Sequence, residues 1–219
     1  TINSDIEWKK QRASHPAYTM RGTQIFRSKS PEGPFEAFEE REPATPMDEM
    51  ALDGTLWVED GKPYMVYCHE WVQVMDGEMK VVELTRDLSA REGTPLRLFN
   101  ASAAEWATGS PAADGARSYV TDGCFLYRTS GGKLLMIWSS FGKVGYAVGV
   151  SESVTGKVTG PWRHHPKPLF SRNGGHGMLF RDFEGGLNIV MHAPNSPGGA
   201  ERAVILPLEE RDDMLYVKE

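Results

Sequence analysis

Cysteine is scarce: Cys68 and Cys124 are the only two in 219 residues, each inside an apolar run. That placement excludes a disulfide framework or a cysteine-based zinc site, and both thiols are expected to be buried and inert. Positive charge is also in short supply, with 24 Lys and Arg against 30 Asp and Glu and a net charge of −6. Acids and bases are scattered, so the chain carries no basic footprint for nucleic acid, and a neutral ligand fits better. No stretch approaches the roughly 18 apolar residues that span a bilayer, and the opening TINSDIEWKKQ has no apolar segment of the secretion-signal kind. No membrane partner is expected, and cytoplasmic and secreted locations both stay open. Helical periodicity is scarce throughout.

What the chain has instead is a repeated hairpin. Hydrophobic residues make up 40% of it, enough to bury a core, and a single domain over residues 1–219 is expected at this length. Three segments share one grammar: LDGTLWVEDGKPYMVYCHE (52–70), TDGCFLYRTSGGKLLMIWSS (121–140) and GGHGMLFRDFEGGLNIVMHAP (174–194). Each has a small polar start containing Gly, a short apolar run, a turn (Asp60-Gly61, Gly131-Gly132, Gly185-Gly186) and a second strand rich in β-branched, aromatic or Met residues. A third strand, a polar turn and a fourth strand follow each hairpin. Residues 21–40 match only that second half, with Ser30-Pro31-Glu32-Gly33-Pro34-Phe35 echoing Thr159-Gly160-Pro161-Trp162.

Four short strands in a unit of roughly 50 residues, repeated, is the pattern of propeller blades, which stack around an axis because one small sheet cannot bury both faces alone. The expected fold is therefore an all-β propeller of about three and a half four-stranded antiparallel blades, with pieces at approximately 21–45, 52–99, 119–170 and 174–219. A β-sandwich would share the short strands but not paired hairpins with matching starts.

Lining up the hairpins sets Asp53, Asp122 and His176 at one position, the start of the innermost strand of a blade, so they are expected to converge at one mouth of the central channel. An isolated Asp before Gly is normally a turn residue; three ionisable residues at equivalent positions point to a site. Clustered carboxylates suit glycoside hydrolysis, which needs one protonated acid for the leaving oxygen and one carboxylate to activate water or attack the sugar. Two neighbouring negative charges raise one pKa, which supplies the acid near neutral pH. Asp122 is the candidate acid and Asp53 its modulator.

Trp71 and Trp106, outside the hairpin strands, are candidate sugar platforms, whereas Trp57 and Trp138 read as packing residues. His69 and Glu70, at the end of a second blade strand, are candidate site-wall residues. His164 and His165 would point to opposite faces of a strand and, with His69 and His192, show no metal-ligand spacing. The loop of residues 100–118 is an insertion between blades that is expected to shape the pocket.

These motifs, in this order, resemble glycoside hydrolase family 43, the five-bladed propellers that hydrolyse xylosides, arabinofuranosides and arabinans, generally with inversion. SKSPEGPF (28–35) is similar to the family's outer-strand motif, LDGTLWVEDGKPYMVYCHEW to its modulator segment, TDGCFLYRTSGGKLLMIWSS to its acid segment and GGHGMLF to its channel-histidine segment. The resemblance implies that Asp53 orients and tunes the acid, that Asp122 stands where the family usually has a glutamate acid, and that His176 lines the substrate channel. It also implies that His176 helps hold a calcium ion through water, with no cofactor required, and that Arg202 contacts substrate or the base.

Two departures stand out. Asp122 is one methylene shorter than glutamate, which leaves Glu70 as an alternative donor. The family's general base is an aspartate of the first blade, and no segment here corresponds to that blade; Asp5 and Glu7 lie in a charged, unpatterned stretch. The resemblance thus implies a ring short of something like one and a half blades, whose open edges and apolar face a second copy or a rearranged terminus covers. The implied function is hydrolysis of xylosyl or arabinofuranosyl linkages of plant polysaccharides or oligosaccharides. A carbohydrate-binding propeller without the base is the alternative, and a propeller used for protein contacts is a third.

Overall fold

Apolar runs of β-branched, aromatic and Met residues, cut by Asp-Gly and Gly-Gly pairs, become short antiparallel strands. The computed structural model describes residues 2–7 (main chain), 19–38, 42–111 and 115–218. Its strands are β1 (Ile2–Glu7), β2 (Thr19–Gly22), β3 (Phe26–Arg27), β4 (Glu36–Ala37), β5 (Ala51–Glu59), β6 (Lys62–His69), β7 (Glu78–Leu84), β8 (Arg91–Asn100), β9 (Ser110–Pro111), β10 (Arg117–Ser118), β11 (Asp122–Arg128), β12 (Leu134–Gly142), β13 (Gly145–Ser153), β14 (Trp162–His164), β15 (Gly175–Arg181), β16 (Leu187–Ala193), β17 (Arg202–Arg211) and β18 (Met214–Val217). The short helix α1 (Trp71–Val74) follows β6.

Three four-stranded antiparallel sheets form, ordered β5-β6-β7-β8, β11-β12-β13-β14 and β15-β16-β17-β18, each in chain order. They are the blades of an all-β propeller. The pair β3-β4 is the outer half of another, and its turn copies the one between β13 and β14: Gly33 and Gly160 both take positive φ, 86° and 77°. Residues 2–7 are not unpatterned, since β1 pairs antiparallel with β2. The side chains of Asp5 and Glu7 lie outside the described residues, as do residues 112–114 of the interblade loop.

The middle blade shows why the sheets stack. Along β12, Leu134, Met136 and Trp138 join the first blade's Val66, Cys68 and Val81 in one core cluster. Their neighbours Leu135 and Ile137 join Leu179, Ile189 and Met191 of the third blade in another. Alternate residues of a strand face opposite sides of its sheet, and here both sides are covered, so the strand is apolar throughout rather than alternating. Both cysteines are free and buried; burial, with Cys124 beside it, pushes the Cys68 thiol well above its ordinary pKa. On the last blade, Met178 and Ile205 are exposed to 55% and 59%, and both flank Val190 across adjacent strands.

Candidate active site

The inner strand of every complete blade breaks its ladder at the same place. Between Leu52 and Thr55 of β5, Asp122 and Phe125 of β11, and Gly175 and Met178 of β15, two residues oppose a single one on the partner strand. Each is a β-bulge, a device that re-aims side chains at functional rims. The first residue of each bulge has a left-handed backbone: Asp53 at φ 57°, Gly123 at 51° and His176 at 55°. This geometry costs an ordinary L-residue roughly 1–2 kcal/mol, and the surrounding sheet holds Asp53 and His176 in it.

The register corrects the sequence alignment by one residue. Asp53, Gly123 and His176 are the equivalent positions, whereas Asp122 is the counterpart of Leu52 and Gly175. Counting from the Gly pairs misplaces it because they do not mark one point of the hairpin: the second and third turns have the same span, yet Gly131-Gly132 stands one position earlier in its turn than Gly185-Gly186. The first hairpin closes through Asp60 and Gly61 alone, both at positive φ, while the other two cross between Arg128 and Leu134 and between Arg181 and Leu187.

The three residues nevertheless meet. The Gly123 backbone N–H donates to Asp53 Oδ2 at 3.1 Å, and His176 Nε2 lies 3.7 Å from Asp53 Oδ1. A Cβ on Gly123 would sit 2.9 Å from the Cα of His176, so glycine lets the bulges of neighbouring blades touch. The Cys124 thiol donates to the Asp53 carbonyl at 3.2 Å, and the His176 N–H donates to Ser139 Oγ at 2.8 Å. Adjacent blades are thus locked together at the channel mouth.

Asp122 accepts a 2.7 Å hydrogen bond from the Tyr146 hydroxyl at Oδ2. Burial, helped by the charge of Asp53, pushes its carboxyl up to about 6, against the pull of Tyr146, His176 and His192 in the other direction. Glu70 faces the same mouth from the end of β6; burial lifts it to about 7, opposed by Arg21 and reinforced by Asp122 and Asp53. Its carboxylate pairs with Arg21 at 3.0 Å. Two carboxyl groups within range of each other's charge are therefore both held above the ordinary carboxylate range, so each keeps a protonated fraction at a pH where an ordinary carboxyl is ionised, as acid catalysis requires.

Other candidates fall elsewhere. Trp106 is not a sugar platform in this structure: it is 6% exposed, lies against Trp138 with centroids 4.9 Å apart, and fills the space left by the missing side chain of Gly149. Trp71 begins α1, half-buried against the cluster of Met50 and Val72. His69 is committed to structure, with Nδ1 2.9 Å from Glu78 and Nε2 2.8 Å from Gln73. Arg202 bonds the carbonyls of Gly199 and Glu201 in its own loop. His164 is a core residue, bonded to Ser151 Oγ at 2.8 Å and edge-on to Phe99.

Tyr146, Ser139, His192 and Arg21 escape a reading of the sequence. Tyr146 looks like any aromatic at a strand start, and only the fold sets it opposite Asp122. Among the described residues no group of three or more His, Cys, Asp or Glu side chains is arranged to hold a metal ion. The donors around His176 do not fit a direct calcium cage, and no chemistry is assigned to one. Among those residues, too, no helix is long and apolar enough to cross a membrane.

A propeller whose channel mouth gathers two aspartates, a glutamate and a histidine holds the acid and base groups that glycoside hydrolysis uses. The sequence matches the model of glycosyl hydrolases family 43 over residues 7–213, and the chain belongs to that family. It is similar to the endo-arabinase from Bacteroides thetaiotaomicron VPI-5482, with 43% identity and a TM-score of 0.82, over 88% of this chain and 68% of that one. A thermostable family-43 glycoside hydrolase shares the fold at 23% identity and a TM-score of 0.76, over 92% of this chain and 67% of that one. So does an endo-1,4-beta-xylanase, also from Bacteroides thetaiotaomicron VPI-5482, at 22% identity and a TM-score of 0.70, over 88% and 65%. The chain spans about two thirds of the length of these relatives. A search of curated proteins found no match.

Proposed function

We propose that the chain is an inverting glycoside hydrolase of arabinofuranosyl or xylosyl linkages in plant polysaccharides or their oligosaccharides, with Asp122 as proton donor and Asp53 as its modulator. One observation carries the reading: the Asp122 carboxyl stands at the channel mouth with Oδ2 held by the Tyr146 hydroxyl at 2.7 Å, and burial and the neighbouring Asp53 raise it to about 6, which suits a proton donor to the leaving oxygen. Arabinofuranosyl linkages come first because the 43%-identical relative is an endo-arabinase. His176 and Glu70 are assigned to the sugar-facing wall.

The test is release of nitrophenol from aryl α-L-arabinofuranoside and aryl β-xyloside, alongside hydrolysis of arabino- and xylo-oligosaccharides. Wild type is expected to be active, and Asp122→Asn inactive with an unchanged circular dichroism spectrum. A wild type that binds arabino-oligosaccharide and releases nothing belongs instead to the carbohydrate-binding reading.

The same reading includes a homo-oligomer. The exposed Met178 and Ile205, with Phe180 on the same face, support it, because monomers rarely leave such a row open to water. Light scattering that returns a monodisperse monomer at micromolar concentration removes this part.

A further inference from the structure

Tyr146, the second residue of β13, gives its hydroxyl to Asp122 Oδ2 at 2.7 Å and is itself 2% exposed. Its ring is held from three sides. Phe141 meets it edge-on with centroids 5.3 Å apart, and His192 stacks on it at 5.6 Å with 19° between the planes. The third side is the bare backbone of Gly175, where an added Cβ would lie 2.6 Å from the Tyr146 Cε1. His192 is in turn fixed by a 2.9 Å bond between Nε2 and Asn195 Oδ1. Burial and the charge of Asp122 drive the phenol pKa upward, so the hydroxyl remains a donor.

A neutral carboxyl accepts hydrogen bonds best at its carbonyl oxygen and carries its proton on the other. With Oδ2 accepting from Tyr146, the proton of neutral Asp122 sits on Oδ1. We propose that Tyr146 is the positioning residue of the proton donor: it selects Oδ1 as the delivering atom and stabilises, on Oδ2, the negative charge left behind. This rests on Asp122 being the donor, as in the function proposed above. In the step, the Oδ1–H bond breaks as the proton passes to the glycosidic oxygen, and the bond from that oxygen to the anomeric carbon breaks. Water bonds to the anomeric carbon and yields its proton to a carboxylate acting as general base; Tyr146 stays protonated throughout.

The other charged or titratable groups facing Asp122 are Asp53 from β5, Cys68 from β6, Glu70 just after it, His176 from β15 and His192 from β16. All of them remain in a Tyr146→Phe variant, which keeps the ring and deletes only the hydroxyl.

Two measurements test the proposal. In Tyr146→Phe, the Asp122 titration followed by carbon NMR on 13C-aspartate-labelled protein is expected to move up by about one pH unit, because a hydrogen bond to the charged form is lost. The basic limb of kcat/KM on aryl arabinofuranoside should follow it, and kcat should fall about tenfold with KM unchanged. Gly175→Ala, which pushes the ring aside, should shift both in the same direction and serves if Tyr146→Phe folds poorly. An Asp122 titration unmoved in both variants overturns the proposal even in an active enzyme, as does a shifted titration with unchanged kcat. A wild type that hydrolyses nothing removes the functional reading and the positioning role with it, whereas a shifted titration in that case still establishes the Tyr146–Asp122 coupling.

Discussion

The backbone N–H of Gly123 donates to Oδ2 of Asp53, so the bulge of one blade fixes the carboxylate of the blade before it. The site is therefore an interface between sheets, and its parts hold only as well as the blades stack.

Gly123→Ala should damage both fold and function. The new Cβ meets the His176 backbone at 2.9 Å, and φ is 51°, so a loss of about 2–3 kcal/mol is expected from strain and displacement together. Gly61→Ala is the control: its φ is 77° but nothing lies within 4 Å of the added Cβ. It should cost only about 1 kcal/mol and leave activity alone. Thermal melts and initial rates on both variants decide; equal activity in the two would contradict the interlocked bulges.

Asp122→Asn should trade activity for stability. A carboxyl whose pKa is raised in the folded state gives up stability as pH climbs through the interval between its unfolded and folded values, because the unfolded chain ionises first. For Asp122 that interval runs from 3.8 to about 6. Removing the charge should stabilise the protein at pH 7 by up to about 3 kcal/mol and have almost no effect near pH 4. Urea unfolding of both proteins at the two pH values measures this; a gain equal at both would place its origin elsewhere.

Glu70→Gln should flatten a second slope. The Glu70 carboxyl rises from 4.5 to about 7, so wild-type stability is expected to fall as pH increases across that interval. In the variant this part of the fall disappears, at the expense of leaving Arg21 without its 3.0 Å partner charge. A pH series of denaturation midpoints shows the change; identical slopes would mean that Glu70 titrates as an ordinary carboxyl.

Trp106→Ala separates core from platform. A buried indole packed on Trp138 should cost about 3–5 kcal/mol when truncated. A sugar platform would instead raise KM and leave the melting temperature almost unchanged.

The turns and apolar runs of the hairpins specify their own strands, and repetition of the four-strand unit specifies stacking, because a small sheet with two apolar faces has nowhere else to bury them. The family was legible for the same reason: its motifs are local and keep their order. Asp53 and His176 could be picked out because they mark the same point of a repeat. Asp122 could be picked out too, yet its register could not, since a bulge leaves no trace in the spacing of apolar residues and the Gly pairs stand at different places in their turns. Trp106 lies outside the repeat, and whether an indole faces sugar or core depends on what the neighbouring blade offers; here Gly149 offers a hollow.

The sequence by itself determined the strands of the three repeated hairpins, their grouping into blades and the chemistry available at the channel mouth, all of which follow from near neighbours along the chain, while β1 was not legible in it. Tertiary structure alone decided which carboxyl is buried, which phenol holds it and which histidine stacks behind that phenol. Those pairings join residues from different strands and blades, and desolvation, the force that sets their protonation, exists only once the sheets have closed over them.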